Sequence, residues 1–194
     1  METVEQMAFA DVQRLYRSDH PDDRVHPSNT NRDGARNLEL ADALFSTWFR
    51  IRLSRADVLA IVLPWHLSEG GEEAMVPPTG LTVGQAAERV RAGGARWTRA
   101  NPVCAAKLEL LGRSPLTHVY LSARALPDHP HYDRVRTREG LIHLDGLHRL
   151  VAWELAGRLP AAEALGAVVA GGPPPDTPPP PDGGEAGAGS TGRP

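Results

Sequence analysis

Apolar side chains recur at helical spacing over residues 1–18, where Val4, Met7, Ala8, Val12, Leu15 and Tyr16 fall near one stripe, and this predicts an amphipathic helix. From Asp19 to Gly34 the apolar residues give way to turn formers (His20-Pro21, His26-Pro27, Asn29, Asn31, Asp33-Gly34), which reads as a long loop. A second helix is expected over Ala35–Trp48. Phe49-Arg-Ile-Arg-Leu53 then alternates apolar and charged residues, the pattern of a half-buried strand. Ser54, with Asp57 three positions on, has the spacing of a capping box and opens a short helix through about Leu63.

The second half is punctuated more sharply. Glu69-Gly-Gly-Glu-Glu73 and Pro77-Pro-Thr-Gly80 mark a loop, and Thr82 starts a helix that Gly93-Gly94 is expected to end near Ala92. A further helix is expected over Val103–Leu111. Thr117–Ser122 reads as a strand, and Pro127–Tyr132 as a loop. Leu141–Leu144 is a short apolar strand, Asp145-Gly146 a tight turn, and Leu147 the start of a helix. Ala167–Ala170 is a candidate last strand. Beyond Gly171 the chain is rich in Pro, Gly and Ala, with too few large apolar side chains to offset ordering entropy, so the tail is expected to be disordered.

The turn at residues 145–149 carries the chemistry. Glycine at 146 permits a sharp turn and a close approach by a ligand. The first turn of the following helix offers unpaired N–H groups and the positive end of a dipole, which suits an anion. Arg149 lies in that first turn, where a guanidinium can fork two phosphate oxygens. Asp145 could cap the helix or hold a metal. His148 could bond a phosphate oxygen or move a proton.

Asp145-Gly146-Leu147-His148-Arg149, followed by Ala152 and Ala156-Gly157, resembles the DGxHR…A…AG signature of the ParB/sulfiredoxin superfamily over roughly residues 115–170. The resemblance implies a small mixed α/β core, which the element order extends over residues 49–170; residues 1–48 read from their own pattern as an extra helical layer packed on it, and 171–194 from composition as a tail. The resemblance also implies phosphate or nucleotide binding at Gly146, Leu147, His148 and Arg149, with catalysis by Asp145 and His148. By similarity to the superfamily's kinases of free serine, Asp145 would lie beside the transferring phosphate and hold Mg²⁺ or orient the accepting hydroxyl. In those kinases a glutamate distant from the signature is the base; Glu69, Glu72 and Glu73 qualify by position alone, and a solvated turn is the competing reading. Sulfiredoxins carry a reactive cysteine where this chain has Leu147, which argues against that activity.

His143 shares a strand face with Asp145 and is a candidate pocket residue, although a cross-strand structural role fits equally. His129 and His131, in Asp128-His-Pro-His131, match no common metal-ligand spacing and read first as surface loop that could cover the pocket.

Composition narrows the field. A net charge of −3 gives no basic excess for nucleic acid. Cys104 is the one cysteine, which reads as excluding an internal disulfide and any Cys-based zinc cluster. Lys107 is the one lysine among 21 basic residues, no G-x-x-x-x-G-K-[ST] motif exists, and phosphate handling is expected to fall to Arg, backbone N–H and Mg²⁺. No apolar run reaches membrane-spanning length, and the acidic start is unlike a signal peptide, so a cytoplasmic protein is expected. The leading function is phosphoryl transfer from ATP or a related nucleotide to a small hydroxyl-bearing metabolite. The alternatives are a nucleotide-dependent ParB-like DNA-binding or regulatory module, and an accessory protein that binds a metabolite without turnover.

Overall fold

The computed structural model describes residues 2–21, 31–160 and 165–172. Residues 22–30 of the loop expected over Asp19–Gly34, and most of the expected tail, from 173 on, lie outside the described residues, and the last part of that loop is already helix, from Asn31. In chain order the elements are β1 (Glu2–Met7), α1 (Phe9–Asp19), α2 (Asn31–Phe45), β2 (Trp48–Leu53), α3 (Arg55–Ala60), β3 (Val62–Leu63), β4 (Leu81–Thr82), α4 (Val83–Ala100), α5 (Pro102–Gly112), β5 (Val119–Arg124), β6 (Glu139–Asp145), α6 (Leu147–Leu155) and β7 (Leu165–Ala170).

The strands form one mixed sheet in the order β1-β2-β7-β5-β6-β3-β4. β7 runs parallel to β5, and β3 parallel to β6; the other neighbours are antiparallel. The fold is therefore α/β, as expected. β7 shows why a short apolar run can be a central strand. Ala167–Ala170 is fully buried because the sheet is covered on both faces. On one face Val151, Trp153, Trp97 and Ala87 join Val119, Leu121, Ala167 and Val169 in a core built with α3–α6. On the other, Val12, Tyr16, Leu38 and Ala41 of α1 and α2 cover Trp48, Tyr120, Ile142, Leu144 and Val168. Among the described residues no helix is long and apolar enough to cross a membrane.

The N-terminal segment differs from expectation. Residues 2–7 are an edge strand, not the first turns of a helix, and the helix begins only at Phe9. Pairing with β2 decides this: Gln6 faces Phe49, Met7 faces Trp48, and Glu5 meets Arg50 across the ladder at 2.6 Å. The first 48 residues thus supply a strand to the sheet as well as a helical layer. α2 stops at Phe45, and Trp48 opens β2.

Local capping explains the best-read elements. Ser54 and Asp57 form a complete capping box on α3, and Thr82 and Gln85 form one on α4. α3 ends at Ala60, and Val62-Leu63 becomes a strand beside β6. Gly94, at φ 48°, breaks α4 near the expected end, but a second helical stretch continues to Ala100.

α6 is fixed at both ends and on its flank. Gly157, in the left-handed region at φ 66°, ends it in a Schellman motif, with Arg158 N–H donating to Trp153 O and Gly157 N–H to Glu154 O. A Cβ on Gly112 would lie 3.5 Å from Ala156 Cβ and 3.6 Å from Ala152 O, so the small residues of the signature let α5 and α6 pack closely. Buried Glu154 accepts from Arg55 at 2.8 and 2.9 Å and from Arg91 at 3.0 Å, which ties α6 to α3 and α4.

Candidate functional site: a cavity at the start of α6

The strand-to-helix turn falls at the floor of a cavity of about 180 Å³. Gly146 is the N-cap of α6 at φ 101°, a left-handed conformation, and an added Cβ would sit 3.2 Å from Arg149 Nη2. No side chain caps this helix, whereas α3 and α4 are both capped by hydroxyl side chains. Gly146, Leu147, His148 and Arg149 all line the cavity, so the uncapped, positive end of α6 opens into it.

Asp145, the residue placed to cap that end, is turned elsewhere. Its Oδ2 accepts from Arg149 Nη2 at 2.6 Å and lies 3.0 Å from His20 Nε2. Burial pushes the carboxyl up, but the His20 hydrogen bond and the Arg149 charge outweigh this and hold it well below the usual carboxylate range. The Arg149 guanidinium is also buried, donates to Thr117 Oγ1 and lies over the Trp153 ring at 5.9 Å. The expected roles of both residues therefore need correction. A guanidinium already bonded to Asp145 and Thr117 is not free to fork phosphate oxygens, and the Asp145 oxygen it holds is not open to Mg²⁺. Together they form a buried strut beneath the turn.

The far side of the strut is the N-terminal layer. His20 Nδ1 lies 2.8 Å from Tyr16 O, and its ring stacks on Tyr16 at 4.1 Å. One residue earlier, Asp19 Oδ2 accepts from Tyr120 Oη at 2.8 Å and pairs with His118 Nδ1 at 3.1 Å. Burial pushes Asp19 up, and these two hydrogen bonds more than reverse it. The end of α1 is thereby pinned to β5 and to the signature. The Gly34 backbone of α2 closes on Asp145, since a Cβ there would lie 2.6 Å from Oδ1.

Other residues reach the cavity from distant elements. Lys107 of α5, the chain's one lysine, lines it at 8% exposure. His66, after β3, lines it too, and burial followed by the Lys107 charge lowers its pKa to about 4. His143 also lines it. The imidazole is buried with neither ring nitrogen hydrogen-bonded, and burial lowers its pKa to about 4. Cys104 Sγ lies 3.2 Å from His66 Nε2 and 3.3 Å from His148 Nε2. Burial raises this thiol, only partly offset by Ser68 and Lys107.

Of the residues singled out in the sequence, the cavity gathers Asp145, Gly146, Leu147, His148, Arg149, His143 and His131. His129 lies one step back, stacked edge-on against His131 and Tyr132. Glu69, Glu72 and Glu73 are not among the lining residues. Glu73 pairs with Arg89 and Arg96 on α4, and Glu72 N–H donates to Ala100 O, as a structural turn would. Sequence reasoning missed His20, His66, Cys104 and Lys107 as site residues. The singularity of Lys107 was visible, but its burial beside the signature was not.

Fold and site together define an α/β protein with a small cavity, of mixed polar and apolar lining, at the N-terminus of a helix. The chain belongs to the family described as "Family of unknown function (DUF6309)", whose match spans residues 1–188. No curated protein and no solved structure matches it.

Proposed function

We propose that the cavity binds the phosphates of ATP or a related nucleotide and passes a phosphoryl group to a small hydroxyl-bearing metabolite. One observation carries this reading: the uncapped end of α6 opens into the cavity that the chain's one lysine also lines. Amides with no capping side chain, a helix dipole and an ammonium favour the same ligand, a multiply charged oxyanion.

In this account the amides of Leu147, His148 and Arg149 and the Lys107 ammonium hold phosphate oxygens. The Asp145–Arg149 strut keeps the turn in place as a positioning element. His143, held neutral by burial, offers one donor and one acceptor nitrogen to an acceptor hydroxyl. Catalysis would be mainly orientation and preset electrostatics. Mg²⁺ would be held by phosphate oxygens and water, since it keeps much of its hydration and Asp145 is engaged. At about 180 Å³ the cavity takes a phosphate end and a compact acceptor, below the roughly 300–1,000 Å³ of sites that enclose a drug-sized ligand. The base of a nucleotide would lie toward the mouth, near Trp65.

The engagement of Asp145 favours a second reading, in which the anion is bound without turnover. Phosphorus NMR of the protein with ATP, Mg²⁺ and pooled amino acids separates the two. Phosphoryl transfer predicts ADP and a new phosphomonoester resonance. Thermal stabilisation by ATP without that resonance selects the binding role. Absence of any shift, at ligand concentrations where a genuine site adds about 2.7 kcal/mol at 100 Kd, removes both.

A further inference from the structure

Two side chains of the cavity wall and a third buried behind them meet in a way the phosphate reading does not use. His66 comes from the segment after β3, Cys104 from the first turn of α5 and His148 from the first turn of α6. Their ligand atoms all lie within 4.8 Å of one another. The two S···N separations are 3.2 and 3.3 Å, and the imidazoles meet edge to face with centroids 4.5 Å apart. Around a tetrahedral zinc ion, with bonds of about 2.3 Å to sulfur and 2.0–2.1 Å to nitrogen, S···N separations are about 3.6 Å. The two S···N separations need to open by only a few tenths of an ångström.

We propose that His66 Nε2, Cys104 Sγ and His148 Nε2 form a three-ligand seat for a zinc-class divalent ion, with the fourth coordination position open to the cavity. The donor set decides the class of metal. One thiolate and two imidazoles suit Zn²⁺ and its first-row neighbours and do not suit Mg²⁺ or Ca²⁺, which take oxygen. Three protein ligands with one vacant position are the pattern of a reactive centre, not a purely structural one. His66 and His148 both line the cavity while Cys104 is buried behind them, so the vacant position faces the ligand space. It would take water or an oxygen of the bound anion. On binding, the Cys104 thiol loses its proton to solvent, and no redox change is involved. The seat requires only these three residues and stands whether or not a nucleotide is the ligand.

The test is cobalt substitution in the full chain freed of metal by a chelator. The expected result is uptake of one Co²⁺ per chain, intense visible bands of tetrahedral Co²⁺, a near-ultraviolet thiolate charge-transfer band, and loss of colour when Zn²⁺ is added. Cys104→Ser should remove the charge-transfer band, and Cys104→Ser and His66→Ala should each weaken binding by about a hundredfold or more, at least the cost of losing an outer-sphere partner. His129→Ala, one step outside the cavity, should change neither. A wild-type spectrum that is weak and octahedral, or lacks the thiolate band, overturns the proposal, as does a Cys104→Ser protein that binds Co²⁺ as tightly as wild type. The wild-type spectrum alone is decisive if a variant fails to fold.

Discussion

Arg149→Met should lower folding stability by about 3–5 kcal/mol, the usual cost of leaving one charge of a buried ion pair alone. The pair is nearly enclosed, with side-chain exposures of 5% for Arg149 and 13% for Asp145. Methionine fills much of the space but strands the Asp145 carboxylate beside His20 with its principal counter-charge removed. Adding Asp145→Asn to Arg149→Met should recover most of the loss, because the orphaned charge disappears with it. Urea unfolding of the two single variants, the double variant and the wild type gives the coupling directly. A contrasting pair calibrates it. Arg113–Glu109 has the same i,i+4 spacing at 79% and 69% exposure, and Arg113→Ala should cost less than about 1 kcal/mol. A comparably small loss at Arg149 would contradict the strut.

The second large effect is acid sensitivity. His143 has a folded pKa of about 4 against an ordinary 6.5, because burial disfavours the imidazolium. Between those two values the unfolded chain binds a proton at this residue that the folded chain refuses. Stability therefore falls as pH drops from 6.5 to 4 and does not change on this account above 6.5. At about 1.4 kcal/mol per pH unit, His143 alone withdraws about 3 kcal/mol across that window. Asp145 continues the trend. Its folded pKa lies below the ordinary 3.8, so its contribution is complete above that value and is lost as pH falls further. Unfolding free energies measured from pH 8 to 3 should be level above 6.5 and fall steeply below. His66, also lowered to about 4 by burial, adds a second loss over the same window, so His143→Gln should remove about half of the upper slope and leave the lower part. An unchanged slope in His143→Gln would show that another group carries it.

What could be read from the sequence follows from how locally each feature is determined. The capping boxes at Ser54 and Thr82 were legible because each is completed by a residue three positions away. The turn at Gly146 was legible for the same reason, since strand, glycine and helix are contiguous. The β1 strand was not, because Val4, Met7 and Ala8 fit the helical stripe that continues into α1, and only the partner strand settles the choice. Arg149 was placed correctly in the first turn of α6 but with the wrong partner. Its i,i+4 relation to Asp145 was visible, yet nothing local reveals that Thr117, Trp153 and the end of α1 enclose the pair. His66 and Cys104 are 38 positions apart, and Cys104 and His148 are 44 apart, so their meeting depends on how α5 and α6 pack. The same packing brings Lys107 to the cavity.

That convergence of ammonium and helix end is the centre of the account, and calorimetric titration of the metal-free chain with ADP tests it most directly. The account predicts saturable binding of one ADP to the wild type, competed by pyrophosphate, and a loss of about tenfold or more in Lys107→Met, which removes one charge-assisted bond worth about 1.5–3 kcal/mol. Absence of heat from ADP and pyrophosphate in a folded wild-type protein, or equal affinity in Lys107→Met, would contradict it.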